Sequence, residues 1–254
     1  MSNPTVSIVV PSFNESDNIG PFYQALKKAL READVRASEI IFVDDGSTDA
    51  TKKEVERVLE KDNAVRLIRF SRNFGHQAAL TAGLERARGQ AIITLDCDFQ
   101  DPPELIPQLI DKWREGYRVV YARRRHREDR PFKKYTAALY YRLLSRFSEV
   151  TIPRQVGDYR LIDRRVLKGL LQLGEHARYL RGMVAWLGYE PAFVDFDRPE
   201  RLHGETHYSL KKMLRFAMDG LLSFSSTPLR VAFWIGLASI VVAVVLLVTM
   251  LWVT

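Results

Sequence analysis

Residues 96 to 104 read DCDFQDPPE and place Asp96, Asp98, Asp101 and Glu104 directly behind the apolar run AIITL (91 to 95). Like charges gathered at the end of a buried strand repel, so something cationic must offset them. Asp96 and Asp98, two residues apart, can turn their oxygens onto one hard divalent ion, and Mg²⁺ commonly takes one or two carboxylates together with the phosphate oxygens of a substrate. The spacing therefore predicts a bound metal and the diphosphate it carries. Polar segments close three other apolar runs: PSFNE (11 to 15), DDGSTD (44 to 49) and SRNFGH (71 to 76). Neither the G-x-G-x-x-G pattern of a dinucleotide site nor the G-x-x-x-x-G-K-[ST] of a phosphate loop occurs, so phosphates must be held another way.

The elements that present these segments follow from hydrophobic periodicity. VSIVV (6 to 10), EIIFV (39 to 43), VRLIRF (65 to 70), AIITL (91 to 95) and RVVYA (118 to 122) read as strands buried on both faces. Helical patterns lie between them, over 17 to 32 with Ser16 as N-cap, 50 to 61, 77 to 87 before Gly89, and 103 to 115 before Gly116. Such alternation predicts an α/β fold, a mostly parallel sheet with helices on both faces. Ligands in these sheets sit outside the carboxyl ends of the strands, where the four polar segments fall. No internal repeat or low-complexity linker interrupts the chain, so residues 1–197 are expected to form one domain.

The length of 254 residues suits one large domain with or without an appendage. Lys and Arg number 38 against 31 Asp and Glu, a net charge of +7. That balance favours anionic ligands or an anionic membrane surface, and by itself implies no nucleic-acid partner. Cys97 is the only cysteine, which excludes an internal disulfide. The opening MSNPTVSIVVPSF lacks the basic and apolar regions of a secretory signal, so the main domain is expected on the cytoplasmic side. From Val231 to Val253 the chain carries no charge. A helix over that run, rising about 1.5 Å per residue, spans roughly 35 Å, enough for a bilayer's hydrocarbon core. Residues 228–254 are therefore predicted to form a transmembrane helix in the inner (plasma) membrane. Lys211, Lys212, Arg215 and Arg230 on its N-terminal side leave the large domain in the cytoplasm. SLKKMLRFAMDGLLSF (209 to 224), in the connecting segment 198–227, has apolar residues at helical spacing and reads as a helix lying in the interface, with a core helix as the alternative.

Taken in order, PSFNE, VDDGSTDAT, SRNFGHQAALTAGLERARG, DCDFQDPPE and VGDYRLIDRRV resemble the family-2 glycosyltransferases of GT-A fold, in particular the polyprenyl-phosphate glycosyltransferases. The nearest resemblance is to bacterial enzymes that move glucose from UDP-glucose to undecaprenyl phosphate; dolichyl-phosphate mannose synthases are more distant. It implies inverting transfer of a single hexose from a nucleotide sugar to a polyprenyl phosphate at the lipid bilayer, with GDP-mannose as the alternative donor. Pro11, Phe13 and Glu15 would border the nucleotide base, Asp44 its polar edge and Asp45 the ribose, and Arg72 would line the nucleotide pocket. Asp96 and Asp98 would bind the sugar diphosphate and Mg²⁺ or Mn²⁺, with Gln100 as a further oxygen ligand. Structural roles stay open: a helix cap for Asp44 or Asp45, a turn for Gln100, plain core for Cys97.

On the acceptor side, a lipid phosphate is already nucleophilic at neutral pH, so its attack needs positioning and charge management more than a base. Asp158 matches the family's catalytic aspartate, as base or as acceptor orienter; a salt bridge to Arg160 or Arg164 is the structural alternative. In the basic stretch ARRRHREDRPFKK (122 to 134), which reads as a lid, a membrane-facing patch or a solvated run, Arg123 is the candidate for the lipid phosphate. RLHGETHYSLKK (201 to 212) resembles the family's R-x-x-G-x-S-K-Y element, with Thr206 and His207 where Ser and Lys are usual. Arg201, His207 and Lys211 are its acceptor candidates. Bacterial relatives commonly carry two transmembrane helices and this sequence carries one before Thr254; a shortened chain, a one-span variant and a homo-oligomer all stay open. A sugar-phosphate nucleotidyltransferase would need a glycine-rich basic loop after the first strand, which PSFNESDN lacks. A catalytically inactive, membrane-tethered nucleotide-sugar binder would be expected to have lost some of Asp96, Asp98 and Asp158.

Overall fold

The computed structural model describes residues 5–125, 153, 155–175, 178–197 and 227–253. They fall into two compact units, one holding the described residues up to 197 and the other the C-terminal helix. In the first, strands β1 (Val6–Ser12), β2 (Ser38–Asp44), β3 (Val65–Arg69) and β4 (Ala91–Thr94) alternate with helices α1 (Ser16–Glu32), α2 (Thr51–Leu59) and α3 (His76–Arg86). A 3-10 turn (Pro103–Leu105), α4 (Ile106–Arg114) and β5 (Val119–Arg124) follow. The predicted strands and helices up to residue 125 are thus present, each within a few residues of its expected ends, but β3, expected to be buried on both faces, is only partly buried because it forms an edge of the sheet. The helix expected after Ser16 begins at that residue. Glu15 stands at the cap, and the backbone N–H of Ser16 is satisfied by Asp49 Oδ2 at 3.2 Å, from the loop after β2.

Beyond residue 155 come four elements that hydrophobic pattern did not distinguish: β6 (Val156–Asp163), α5 (Arg164–Gln172), α6 (Leu180–Trp186) and β7 (Pro191–Phe196). They complete a 7-stranded sheet in the order β3-β2-β1-β4-β6-β5-β7. β1, β2, β3 and β4 run parallel, β7 pairs parallel with β5, and β6 runs antiparallel to both β4 and β5. The strand order reverses at β1, and in such sheets ligands bind at that switch point, at the carboxyl ends of β1 and β4. The register pairs Thr94 with Arg160, and Asp158, two residues earlier on the reversed strand, lies beyond the end of β4 beside Asp96.

Both faces of the sheet are covered. Val6, Ile8 and Val10 of β1 share one apolar cluster with Phe22 and Leu26 of α1 and Ile106 and Leu109 of α4. On the other face α3 lies close against β1, and a Cβ at Gly83 would come within 2.3 Å of Val9 Cγ1. Cys97 is buried in the first cluster and belongs to the core.

Gly46 sets the spacing of the loops that follow β2 and β3. Its φ is +72°, and a Cβ there would sit 2.4 Å from the carbonyl carbon of Arg72, a backbone atom that cannot swing away. Gly46→Ala should cost roughly 2–4 kcal/mol, the left-handed backbone plus overpacking. Gly116 (φ +107°) has open space around it, and Gly116→Ala should cost only the backbone share, about 1–2 kcal/mol. Urea denaturation of both variants reads the difference; equal midpoints would remove the steric argument.

The C-terminal unit contains helix α7 (Thr227–Val253), within which Phe233–Trp252 is long and apolar enough to cross a membrane. Its large side chains, among them Phe233, Trp234, Ile240, Leu251 and Trp252, are exposed, unlike those of a soluble core helix. The expected interface helix at 209 to 224 lies outside the described residues.

Candidate active site at the carboxyl ends of the strands

The first three polar segments form an interlocked set of loops. Asn14, at φ +56°, accepts the N–H of Thr48 at 2.9 Å, its own N–H reaches Ser47 Oγ at 3.0 Å, and the N–H of Glu15 reaches Thr51 Oγ1 at 2.8 Å. Asp44, fully buried, accepts the N–H of Ser47 on Oδ1 at 2.9 Å, while Oδ2 faces Arg69 Nε at 3.2 Å in an ion pair without hydrogen-bond alignment. Both oxygens of Asp45 accept backbone N–H groups of the next loop, Phe74 at 2.7 Å and Gly75 at 2.9 Å. Asp45 thus clamps the third loop to the second. Pro11 is buried at the end of β1, and Glu15 holds Asn18 at 2.5 Å. Phe13 is 43% exposed, and the Arg72 guanidinium stacks 4.0 Å over the ring of Phe74, itself 50% exposed. Exposed rings on a rigid polar loop can stack on a planar base.

The acidic turn after β4 has its charge offset from within. Asp96 Oδ1 is 2.7 Å from Nε2 of His76, the first residue of α3. Asp98 Oδ1 accepts the N–H of Gln100 at 3.0 Å, Gln100 is buried, and Phe99 between them, at φ +59°, packs edge-on to Phe22. Asp101 is buried, accepts the N–H of Asp96 at 3.4 Å and faces Arg124 Nη2 at 3.7 Å. Burial and then Asp96 push the Asp101 carboxyl up to about 7. Among the described residues no three His, Cys, Asp or Glu side chains converge as a protein-only metal cage. Two carboxylates with a buried carboxamide beside them match instead the sparse oxygen set that Mg²⁺ uses when a substrate's phosphates complete its shell.

Asp158 completes the site from the other side of β4. Its Oδ1 accepts Arg160 Nη2 at 2.6 Å, its Oδ2 accepts Gln77 Nε2 at 3.2 Å, and Oδ2 also lies 3.7 Å from Arg181 Nη2 and 3.8 Å from His76 Nδ1. Thr94 Oγ1 donates to its carbonyl and ties it to the end of β4. Burial pushes the Asp158 carboxyl up, but Arg181, Arg160, His76 and Gln77 together hold it below the usual carboxylate range. For His76, burial pulls the imidazole down, and Asp96, with Asp158 and Asp101 behind it, overrides this and holds it at about 9. One imidazole therefore faces both the acid of the turn after β4 and the acid of β6. Arg160 takes the role foreseen in the structural alternative for Asp158. Arg164 instead donates to the carbonyls of Ala87 and Gly89.

His76, Gln77 and Arg181 carried no assigned role in the sequence. The signal for the first two was their position, directly after the glycine of SRNFGH where a helix begins on the rim. Arg123 lies on β5 with its guanidinium paired to both oxygens of Asp195 (2.6 and 3.0 Å) and placed 4.6 Å from the ring centroid of Phe193. It is not among the residues gathered around Asp158. Arg201, His207 and Lys211 lie outside the described residues.

Comparison with known proteins gives a consistent picture. A family model described as glycosyl transferase family 2 matches residues 7–171. The uncharacterized glycosyltransferase YkcC of Bacillus subtilis is 47% identical over 232 residues, 91% of this chain and 72% of that one. The prophage bactoprenol glucosyl transferase homolog of Escherichia coli is 39% identical over 233 residues, 91% of this chain and 76% of that one. Among solved structures, glucosyl-3-phosphoglycerate synthase from Mycobacterium tuberculosis, in complex with Mn²⁺, UDP and glucosyl-3-phosphoglycerate, superposes with a TM-score of 0.58 at 20% identity. That match covers 87% of this chain and 79% of the synthase, and it speaks for the shared fold alone.

Proposed function

Since this chain belongs to glycosyl transferase family 2 and is a glycosyltransferase, we propose that it moves one hexose from a nucleotide sugar to a polyprenyl phosphate, with inversion at the anomeric carbon. The observation that carries this reading is the meeting of the Asp96 turn and Asp158 across the single imidazole of His76. A donor-side acid pair and an acceptor-side acid within that span suit direct displacement between two bound phosphates. Glucose from UDP-glucose onto undecaprenyl phosphate is the first choice, supported by the relative named a bactoprenol glucosyl transferase homolog.

Phe13 and the Arg72–Phe74 stack offer surfaces for the base, with Pro11, Glu15 and Asp44 behind them. Asp45 serves this pocket by holding its third loop in place. Mg²⁺ or Mn²⁺, when bound, would be held by Asp96 and Asp98 with Gln100 and would supply charge stabilisation to the diphosphate leaving group. Asp158 is the acceptor orienter rather than a base. A carboxylate held ionised by two guanidinium groups is a poor proton acceptor, and the dianion of a phosphate monoester, which dominates above about pH 6, has no proton to lose. Asp158 in turn keeps Arg160 and Arg181 in place, so that positive charge faces the incoming phosphate.

The membrane side of the proposal rests on composition. Residues 1–197 would be the cytoplasmic catalytic domain, 198–227 a juxtamembrane segment carrying Arg201, His207 and Lys211 toward the lipid phosphate, and 228–254 the span in the plasma membrane. Arg123 joins the acceptor set only if it exchanges Asp195 for the phosphate. The test is to incubate membranes holding the protein with radiolabelled UDP-glucose and undecaprenyl phosphate. Label should enter the lipid phase, and EDTA should abolish the transfer. Label that stays aqueous with UDP-glucose, UDP-galactose and GDP-mannose alike would overturn the reading.

A further inference from the structure

Gln77 has no chemistry of its own to offer, yet its carboxamide joins three separate elements. From α3, Nε2 donates to Asp158 Oδ2 on β6 at 3.2 Å, and Oε1 accepts the backbone N–H of Leu180, the first residue of α6, at 3.1 Å. The orientation of the amide is dictated by its partners, because an ionised carboxylate can only accept and a backbone N–H can only donate. Arg160 takes Asp158 Oδ1 at 2.6 Å, so the two hydrogen bonds together fix both oxygens and hence the rotamer. The two other cations that face Oδ2, Arg181 on α6 and His76 on α3, stand 3.7 and 3.8 Å away, outside hydrogen-bond contact. With Gln77 truncated, Oδ2 would be drawn onto one of them.

We propose that Gln77 is a positioning residue for the transfer: its hydrogen bond fixes Oδ2 of Asp158, leaves Arg181 and His76 at ion-pair distance from that oxygen rather than in direct hydrogen-bond contact, and ties the carboxylate to the start of α6. The proposal rests on Asp158 acting in hexose transfer. It goes beyond that reading in assigning the geometry to a neutral side chain from a helix remote in sequence.

Two variants divide the two hydrogen bonds. Gln77→Ala removes both, whereas Gln77→Glu keeps an acceptor for the Leu180 N–H and loses the donor to Asp158. Hydrogen exchange over residues 180–186 should be faster in Gln77→Ala and unchanged in Gln77→Glu. With UDP-glucose and undecaprenyl phosphate as probes, both variants should lose turnover by about 10²-fold, the cost of a misplaced group. The Michaelis constant for UDP-glucose should stay within about twofold, because the two hydrogen bonds removed reach Asp158 and Leu180 and neither reaches Asp96 or Asp98. Unchanged exchange in Gln77→Ala overturns the tie to α6. Wild-type turnover in Gln77→Glu overturns the hold on Asp158, and a raised UDP-glucose constant moves Gln77 to the donor side. A wild-type protein that transfers no hexose removes the role in transfer together with the functional reading, while the exchange data still decide whether the brace exists.

Discussion

Asp158→Asn should lower turnover by about three orders of magnitude while leaving the Michaelis constant for the nucleotide sugar nearly unchanged. The substitution preserves shape and removes one negative charge from a site where Arg160, Arg181 and His76 all face it. With that charge gone the cations repel one another, and the guanidinium of Arg160, with its side chain only 3% exposed, loses its ion partner. Breaking a buried pair from one side costs about 3–5 kcal/mol, so the variant should also melt earlier, and turnover must be read below its melting range. The sign of the pH effect follows from the lowered carboxyl. Its share of stability is present above the unfolded value of 3.8 and is lost as pH falls through the lower folded value. Wild-type turnover should therefore show no limb from Asp158 between about pH 5 and 8. A variant with normal turnover and a raised constant for UDP-glucose would make Asp158 a donor ligand instead.

Asp98→Ala should cost two to three orders of magnitude in rate, roughly the contribution of one group that stabilises a developing charge. Its Oδ1 accepts the N–H of Gln100, a hydrogen bond worth about 1 kcal/mol. Folding should survive, since a carboxylate is being removed from a cluster that already includes Asp96 and Asp101. The informative measurement is a Mn²⁺ titration of transfer, in which the variant should need far more metal and reach a lower ceiling. Full activity with an unaltered metal requirement would place the ion elsewhere.

Much of this architecture was legible in local pattern. Strands β1, β2, β4 and β5 announce themselves because a sheet covered on both faces demands apolar runs, and VSIVVPS and AIIT are buried at every position, whereas β3, at the sheet edge, mixes apolar residues with arginines and is only partly buried. Helices α1 to α4 follow from amphipathic spacing, and the polar segments at the strand ends mark the rim where such sheets bind ligands. The apolar run in α7 is equally self-evident, because length and absence of charge are properties of the run itself. The acidic turn itself was legible from spacing, and the structure turns Asp96 toward His76 and Asp98 onto the N–H of Gln100.

The tertiary structure decided how Asp158 reaches that turn. Its strand, β6, enters the sheet antiparallel between β4 and β5, and this reversal puts the beginning of β6 at the carboxyl end of β4. Strand direction and partner are set by which edges remain to be paired once the rest has packed, and no window of residues around 158 contains that information. The same holds for the side chains that give Asp158 its character. Gln77 is 81 residues from it in sequence and Leu180 is 103 residues from Gln77, so their hydrogen bonds are consequences of how α3 and α6 dock. Arg123 shows the converse: a cation within a basic run looks available, and only the parallel pairing of β5 with β7 brings Asp195 across to take it. Residue types and short spacings could thus state to which family this chain belongs. Which charges neutralise one another, and which stay turned toward a substrate, depends on contacts between elements far apart in the chain, because electrostatic partners are chosen by distance in space.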